Sequence, residues 1–219
     1  MNQHLAPSHY YPVFLDIRRR RCLVVGGGQV ARRKAESLLE GGAEVSVISP
    51  KLCPGLAELG EGGRITLIQR QYRDGDLEGA FLAIAATDDS ETNARVAMEA
   101  RSGGVLVNVV DDAARSDFIA PSCLRRGDVV IAVSTSGSSP ALARRLRTRL
   151  EEEFGNEYAA LAEVVGQVRA ELKRRGTAVS ADAWQQALEL DALAEMVRRG
   201  AVEQARERLL ESLQNDERG

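Results

Sequence analysis

Histidine, cysteine and aromatic residues are scarce in this chain of 219 residues. Both histidines, His4 and His9, precede the first apolar run, which argues against a histidine base, a histidine-rich metal site or a Ser-His-Asp triad. The three cysteines are far apart and form no CxxC pair, so we expect neither a disulfide framework nor a bound metal. Cysteine usage of this kind favours a reducing cytoplasm.

The chain also lacks a charge excess of either sign and any long apolar run. Lys and Arg number 29 and Asp and Glu 32, for a formal net charge of −3, whereas nucleic-acid-binding proteins usually show a clear basic excess. No apolar run approaches the ~20 residues that cross a bilayer, and the polar first residues do not resemble a signal peptide. We therefore expect no nucleic-acid partner and no membrane.

Glycine and proline, which interrupt regular structure, lie mostly in the first two thirds of the chain. All six prolines and 15 of the 20 glycines stand at or before Pro140. Short apolar runs fill this part, at 22–25, 45–48, 65–68, 81–86, 105–110 and 129–133. Their lack of polar alternation indicates strands covered on both faces, and segments of helical periodicity lie between them, as at 30–40 and 90–100. This order predicts an α/β fold with a Rossmann-like, doubly wound parallel sheet.

After Pro140 the chain contains no further proline, and its apolar residues recur at spacings of three and four. The pattern predicts four amphipathic helices, over 141–154, 158–175, 182–200 and 201–213. Without a sheet, their apolar faces must pack against one another or against a second subunit. We expect a small helical domain here.

A glycine-rich segment directly follows the first apolar run. Residues 26–31, GGGQVA, fit the G-x-G-x-x-A pattern of dinucleotide-binding loops and lie between a predicted strand and a predicted helix. Gly26 would form the tight turn, and Gly28 would let the backbone approach a pyrophosphate bound by the free N–H groups of the helix. The alternative is a glycine-rich turn without a ligand.

Polar residues follow the second and fourth predicted strands, whose carboxyl ends should face the ligand. Ser49, Pro50 and Lys51 follow the second strand, where NAD-binding sheets usually carry an acidic residue. Ser49 could bond a ribose hydroxyl and Lys51 could accept a 2′-phosphate, so spacing leaves NAD and NADP both open. Thr87 and Asp88 follow the fourth strand, where they could contact the cofactor or cap the next helix.

The fifth predicted strand ends in two carboxylates, Asp111 and Asp112. Asp111 should lie near a bound nicotinamide. In a chain without a usable histidine, a carboxylate is the natural general base. The alternative is a solvated aspartate in a turn.

A hydroxyl-rich segment precedes the helix that begins near Pro140. The hydroxyl and arginine side chains concerned are Ser134, Thr135, Ser136, Arg144 and Arg145. Such a loop at a helix N-terminus, with arginines one turn on, suits a substrate that carries carboxylates. The alternative is a helix cap alone, with Ser139 as the N-cap.

Four segments together resemble one family: LVVGGGQVARRKAE, AIAATDD, VNVVDDAARSDFIAPS and IAVSTSGSSPALAR. Their order and spacing, over residues 10–150, are similar to those of precorrin-2 dehydrogenases, the N-terminal module of siroheme synthases. The resemblance implies NAD-dependent oxidation of precorrin-2 to sirohydrochlorin. It implies Asp111 as the catalytic aspartate, and cofactor contacts at Gln29, Val30, Pro50 and Lys51.

The resemblance also implies an organisation and partners. We predict an NAD-binding domain at 1–112, a dimerisation and substrate segment at 113–149 and a helical domain at 150–219, in a homodimer. The polycarboxylate precorrin-2 would bind the hydroxyl-rich loop and its arginines. Some family members also insert ferrous iron into sirohydrochlorin as a second activity. The rival hypothesis is a non-catalytic NAD(H)-sensing Rossmann module that signals through its helical tail.

Overall fold

A computed structural model describes residues 10–215 of the chain; His4 and His9 lie outside the described residues. Contacts within the chain divide it after Ala120 into two compact units. The predicted three-part division, with boundaries at 112 and 149, stays a prediction.

The first unit alternates strands and helices. Its elements are β1 (Arg21–Val25), α1 (Gln29–Glu40), β2 (Glu44–Ile48), α2 (Pro54–Glu61), β3 (Thr66–Ile68), β4 (Leu82–Ala85), α3 (Ser90–Gly103) and β5 (Leu106–Val109). The five strands form one parallel sheet in the order β3-β2-β1-β4-β5. The order reverses direction between β1 and β4, which is where doubly wound sheets bind ligands. The predicted α/β Rossmann-like fold is confirmed.

Both faces of the sheet are covered, which explains the uninterrupted apolar runs. Residues of β1 alternate between two cores: Leu23 packs in the cluster that contains α3 residues, and Val24 in the cluster that contains α1 residues. Because both sets of side chains leave water, every position from Cys22 to Val25 is buried.

The second unit, as far as residue 215, contains a β-hairpin and five helices. Its elements are β6 (Ser122–Arg126), β7 (Val129–Val133), α4 (Pro140–Glu153), α5 (Glu157–Arg175), α6 (Ala181–Ala187), α7 (Leu190–Arg198) and α8 (Val202–Asn215). The predicted strand at 129–133 exists, but it pairs antiparallel with β6 in a separate two-stranded sheet. The strand β6, which ends at Arg126, has no counterpart among the predicted strands. This strand escapes prediction because Leu124 is its one buried residue.

The single helix predicted over 182–200 is wrong, because the chain leaves helical geometry between α6 and α7. Leu188 ends α6 with a ψ of 65°. Trp184 and Leu188 pack on the apolar cluster of the helical part, which includes Leu193 and Leu209. The break lets apolar residues on both sides of it share that cluster. Within residues 10–215, no helix is long and apolar enough to cross a bilayer.

Candidate functional site

A cleft of about 900 Å³ lies at the carboxyl ends of β1, β2 and β4. It is lined by all the residues predicted to bind the cofactor: Gly26, Gly28, Gln29, Val30, Ser49, Pro50, Lys51, Thr87 and Asp88. These residues come from three segments far apart in sequence. The parallel register aligns Val25 with Ile48 and with Ala85, so the loops that follow the three strands meet.

Two glycines let the loop after β1 pass between its neighbours. Gly26 has a φ of 133°, and a Cβ there would lie 2.2 Å from the carbonyl oxygen of Ala86. A Cβ on Gly27 would lie 1.8 Å from the carbonyl oxygen of Lys51. Gly26 therefore forms the tight turn, as predicted, and Gly27, to which the motif assigns no role, packs against the loop after β2.

Gly28 differs from its two neighbours, because a Cβ there would meet no atom of the described residues within 4 Å. It is the N-cap of α1, no side chain caps this helix, and no acidic residue lies in its first turn. The start of α1 therefore lies uncapped beside an open part of the cleft, the arrangement in which helix N-termini bind phosphate groups.

The loop after β2 is fixed against the glycine loop. The buried Ser49 hydroxyl donates to the carbonyl oxygen of Lys51 at 2.7 Å, and the Cys53 N–H donates to the carbonyl oxygen of Gly27 at 2.8 Å. The Lys51 side chain is exposed beside the cleft. No carboxylate follows β2, so the residue that usually selects the 2′-hydroxyl is replaced by a hydroxyl and an ammonium group.

The loop after β4 divides its polar residues between capping and the cleft. Asp89 is the N-cap of α3 and accepts from the N–H groups of Glu91 and Thr92 at 3.1 and 3.3 Å. The Thr87 hydroxyl donates to Asn93 Oδ1 at 2.8 Å. Because Asp89 provides the cap, the exposed Asp88 carboxylate is left to line the cleft.

One wall of the cleft was not predicted from sequence: it consists of Gln71, Tyr72 and Arg95. The Arg95 guanidinium lies 5.8 Å from the centre of the Tyr72 ring and pairs with Asp74 at 2.7 Å. Burial and a hydrogen bond to the Glu99 carboxylate raise the pKa of Tyr72. The segment after β3 has no periodicity that could indicate these distant contacts.

Asp111 lies just beyond β5, and it is not among the residues that line the cleft. Its carboxylate is exposed and its φ is 60°, a backbone conformation uncommon for residues other than glycine. The Val110 N–H donates to the carbonyl oxygen of Ala85 at 2.9 Å, which ties this turn to the end of β4. Residues other than glycine with such a backbone conformation are often found at functional sites.

Lys34, on the second turn of α1, is a charged neighbour of Asp111. Burial, followed by the nearby Arg33 charge, lowers the pKa of Lys34, and the Asp111 carboxylate opposes that shift. Val110 belongs to the apolar cluster that includes Ala31 and Ala35 of α1, so this helix and the Asp111 turn share one side of the sheet.

The residues predicted to bind substrate all lie in the second unit. Ser139 is the N-cap of α4, as predicted, and accepts from the Leu142 N–H at 3.2 Å. In the loop before it, Ser134 Oγ accepts from the Ser136 N–H and Thr135 Oγ1 from the Ser139 N–H, each at 3.0 Å. The Ser134 and Thr135 hydroxyls thus shape the loop as acceptors, and within residues 10–215 neither donates a hydrogen bond.

Arg144 and Arg145 follow on α4 with exposed side chains. Among the described residues neither lies within ion-pair distance of a carboxylate, whereas Arg147 pairs with Glu151. The two guanidinium groups are therefore available to an anion. Cap and anion site are compatible here, because Ser139 alone caps the helix.

Two family models match consecutive parts of the chain. The model described as "Putative NAD(P)-binding" matches residues 13–122, and the model described as "Sirohaem biosynthesis protein central" matches 126–153. Because the first model covers half of the chain, the chain belongs to this putative NAD(P)-binding family. The siroheme synthase of Chromobacterium violaceum is 45% identical over 166 residues, 76% of this chain and 35% of that protein. That of Nitrosococcus oceani is 43% identical over 198 residues, 90% of this chain and 42% of that protein.

This family member spans less than half the length of the siroheme synthases it matches. A solved structure, "SirC, precorrin-2 dehydrogenase", matches it over nearly its whole length, with a TM-score of 0.67 and 25% identity, covering 96% of this chain and 100% of that one. The predicted resemblance is therefore confirmed.

The first unit is an NAD(P)-binding domain, and its cleft fits a dinucleotide. The open face of Gly28 and the uncapped start of α1 can accept a pyrophosphate. Ser49 and Lys51 lie where the adenosine ribose would be held, and the loop after β4 lies where the nicotinamide half is expected.

Proposed function

We propose that this chain oxidises precorrin-2 to sirohydrochlorin with NAD as the cofactor. The observation that carries the proposal is the Asp111 turn. It holds an exposed carboxylate in an uncommon backbone conformation, and the N–H of the preceding Val110 donates to Ala85 at the end of β4, whose loop lines the dinucleotide cleft. The structural similarity to a precorrin-2 dehydrogenase supports the same reaction. The siroheme synthases that match this chain are longer proteins, and the match covers less than half of their length.

NAD, when bound, supplies the acceptor for the hydride that the substrate loses. The first backbone N–H groups of α1, at Gln29 and Val30, would hold its pyrophosphate. Ser49 and Lys51 would hold the adenosine ribose. The oxidation also releases a proton, and the Asp111 carboxylate would accept it.

The substrate side of the proposal involves the second unit. Precorrin-2 carries several carboxylates, and Arg144 and Arg145 offer two exposed guanidinium groups to bind them. The hydroxyls of Ser134, Thr135 and Ser136 can donate to the same carboxylates.

A homodimer is part of the proposal. Leu142 and Leu146, one turn apart on α4, are 50% and 41% exposed. Exposed apolar side chains at this spacing are typical of a helix that packs on a partner. If α4 forms the interface, light scattering should give the dimer mass for the wild type and the monomer mass for Leu146→Glu. A dimeric variant would show that α4 lies outside the interface.

We also propose that the protein works in the cytoplasm, since Cys22, Cys53 and Cys123 are all free thiols. Burial raises the pKa of Cys22 to about 11, so this thiol stays protonated and unreactive at neutral pH.

The test is turnover of precorrin-2 with NAD by the purified protein, followed through NADH absorbance. Asp111→Asn keeps the side-chain shape and tolerates a positive φ, but it removes the base. We expect kcat to fall by about 100-fold or more, with NAD affinity unchanged. The matched control is Asp112→Asn, which keeps the oxygen that accepts from the Arg115 N–H and should keep its activity. Full activity of Asp111→Asn would refute the role of Asp111.

The same assay separates the rival functions. A sensing module would bind NAD and leave precorrin-2 unchanged. A second set of reactions with sirohydrochlorin and ferrous iron, in which the metal is a substrate, tests for iron insertion. Iron insertion without any NAD reduction would contradict the proposed dehydrogenase.

A further inference from the structure

The outer edge of β5 is the starting observation. β5 is an edge strand, hydrogen-bonded on one side to β4. The N–H and C=O groups of Val107 and Val109 point to the other side, because alternate residues of a strand bond in opposite directions. Unpaired backbone groups on an edge must find other partners or water.

The segment that follows β5 turns back and supplies those partners. Asp117 forms hydrogen bonds with both backbone groups of Val107. The Asp117 N–H donates to the Val107 carbonyl oxygen at 2.8 Å, and Asp117 Oδ2 accepts from the Val107 N–H at 3.0 Å. Ser116 takes the N–H of Val109, which donates to Ser116 Oγ at 2.9 Å. Two residues, through one backbone and two side-chain hydrogen bonds, thus replace part of a sixth strand.

The Ser116 hydroxyl also closes the turn that contains Asp111. Its own proton goes to the carbonyl oxygen of Asp112, 2.7 Å away, in preference to that of Val109 at 3.2 Å. The Ser116 hydroxyl therefore connects Val109 with Asp112, the first and last residues of the turn that contains Asp111. Ser116 is half-buried, so water competes poorly for these bonds.

The bridge explains how an uncommon backbone conformation persists at Asp111. The Asp112 N–H donates to the Val109 carbonyl oxygen at 3.1 Å, so residues 109–112 form a turn with a φ of 60° at its third residue. Turns of this kind usually place glycine or asparagine there. An aspartate stays in such a conformation only where surrounding bonds hold it.

We propose that Ser116 is a positioning residue for Asp111: through Val109 and Asp112 its hydroxyl holds the turn that presents the Asp111 carboxylate to the substrate. This inference rests on the proposed function. Ser116 itself touches no reacting atom; it acts through the backbone on either side of Asp111.

The experiment compares Ser116→Ala, which removes the bridge, with Ser116→Thr, which keeps a hydroxyl. We expect Ser116→Ala to lower kcat for precorrin-2 about tenfold or more, because small misplacements of a catalytic group cost that much. NAD affinity, measured by calorimetry, should stay unchanged. An unchanged affinity also shows that the first unit is folded. Ser116→Thr should recover most of kcat. Ser102→Ala, on the exposed face of α3, is the control and should have wild-type kcat.

A double-mutant cycle separates positioning from a general structural effect. If Ser116 acts only through Asp111, adding Ser116→Ala to Asp111→Asn should leave the residual kcat unchanged. The inference is overturned by wild-type kcat in Ser116→Ala, by an equal loss in Ser116→Thr, or by a further tenfold loss in the double variant. Absence of turnover in the wild type would overturn the proposed function, and this inference with it.

Discussion

Replacing Gly27 with alanine would force apart two loops that the cofactor cleft requires in contact. The new Cβ would lie 1.8 Å from the Lys51 carbonyl oxygen and 2.5 Å from Ser49 Oγ. Ordinary contact begins near 3.4 Å, so the backbone after β2 must withdraw by roughly 1.5 Å. The hydrogen bond from the Cys53 N–H to the Gly27 carbonyl oxygen spans the same contact, at 2.8 Å.

The expected loss of stability follows from these two effects. Overpacking costs about 1–3 kcal/mol, and the hydrogen bond contributes about 1 kcal/mol, so the free energy of unfolding should fall by about 2–4 kcal/mol. The affinity for NAD should fall about tenfold or more, because the loop after β2, which we propose holds the adenosine ribose, has moved. Gly28→Ala is the matched control for the loss of stability, since its Cβ would meet no atom of the described residues within 4 Å.

Gly28→Ala should therefore separate binding from stability. Loss of a glycine N-cap should cost less than about 1 kcal/mol, yet the methyl group would occupy the space for the pyrophosphate and lower NAD affinity about tenfold.

Urea unfolding followed by far-UV circular dichroism measures stability, and calorimetry measures NAD binding. Trp184, the one tryptophan of the chain, belongs to the second unit, so its fluorescence reports that unit separately. An unchanged circular dichroism transition in Gly27→Ala would refute the packing argument. Wild-type NAD affinity in Gly28→Ala would refute the placement of the pyrophosphate.

Asp89→Ala removes the cap of α3 and should lower the free energy of unfolding by about 1 kcal/mol in the same urea experiment. Hydrogen bonds from Arg70 lower the pKa of Asp76 below 3.8, so the stability that this carboxylate contributes is complete above that pH and is lost as pH falls through its folded-state pKa. The difference in stability between wild type and Asp76→Asn should therefore shrink on acidification below pH 3.8; a constant difference would contradict the reasoning. Lys51→Glu should weaken NADP binding more than NAD binding, because it places a carboxylate near the 2′-position; equal losses in calorimetry would place Lys51 elsewhere.

Much of the cofactor site could be predicted because its signals are local. The glycine loop is six consecutive residues, and its position between a strand and a helix follows from periodicity on either side. The loops after β2 and β4 are found in the same way, since parallel strands must end together at one edge.

Other parts depend on residues that meet only after folding. Gln71, Tyr72 and Arg95 form one wall of the cleft from two segments with no shared pattern. The role of Ser116 becomes visible only when the chain turns back along β5. The break between α6 and α7 contains neither glycine nor proline, so no helix-breaking residue predicts it.

The sequence by itself determined the doubly wound sheet, the dinucleotide loop and the position of Asp111 after β5. Tertiary structure alone decided the separate hairpin of β6 and β7, the need for glycine at position 27 and the hydroxyl that closes the Asp111 turn. The physical reason is range. Periodicity and turn chemistry act over a few consecutive residues, whereas close contacts and hydrogen-bond partners depend on which distant segments the completed sheet brings together.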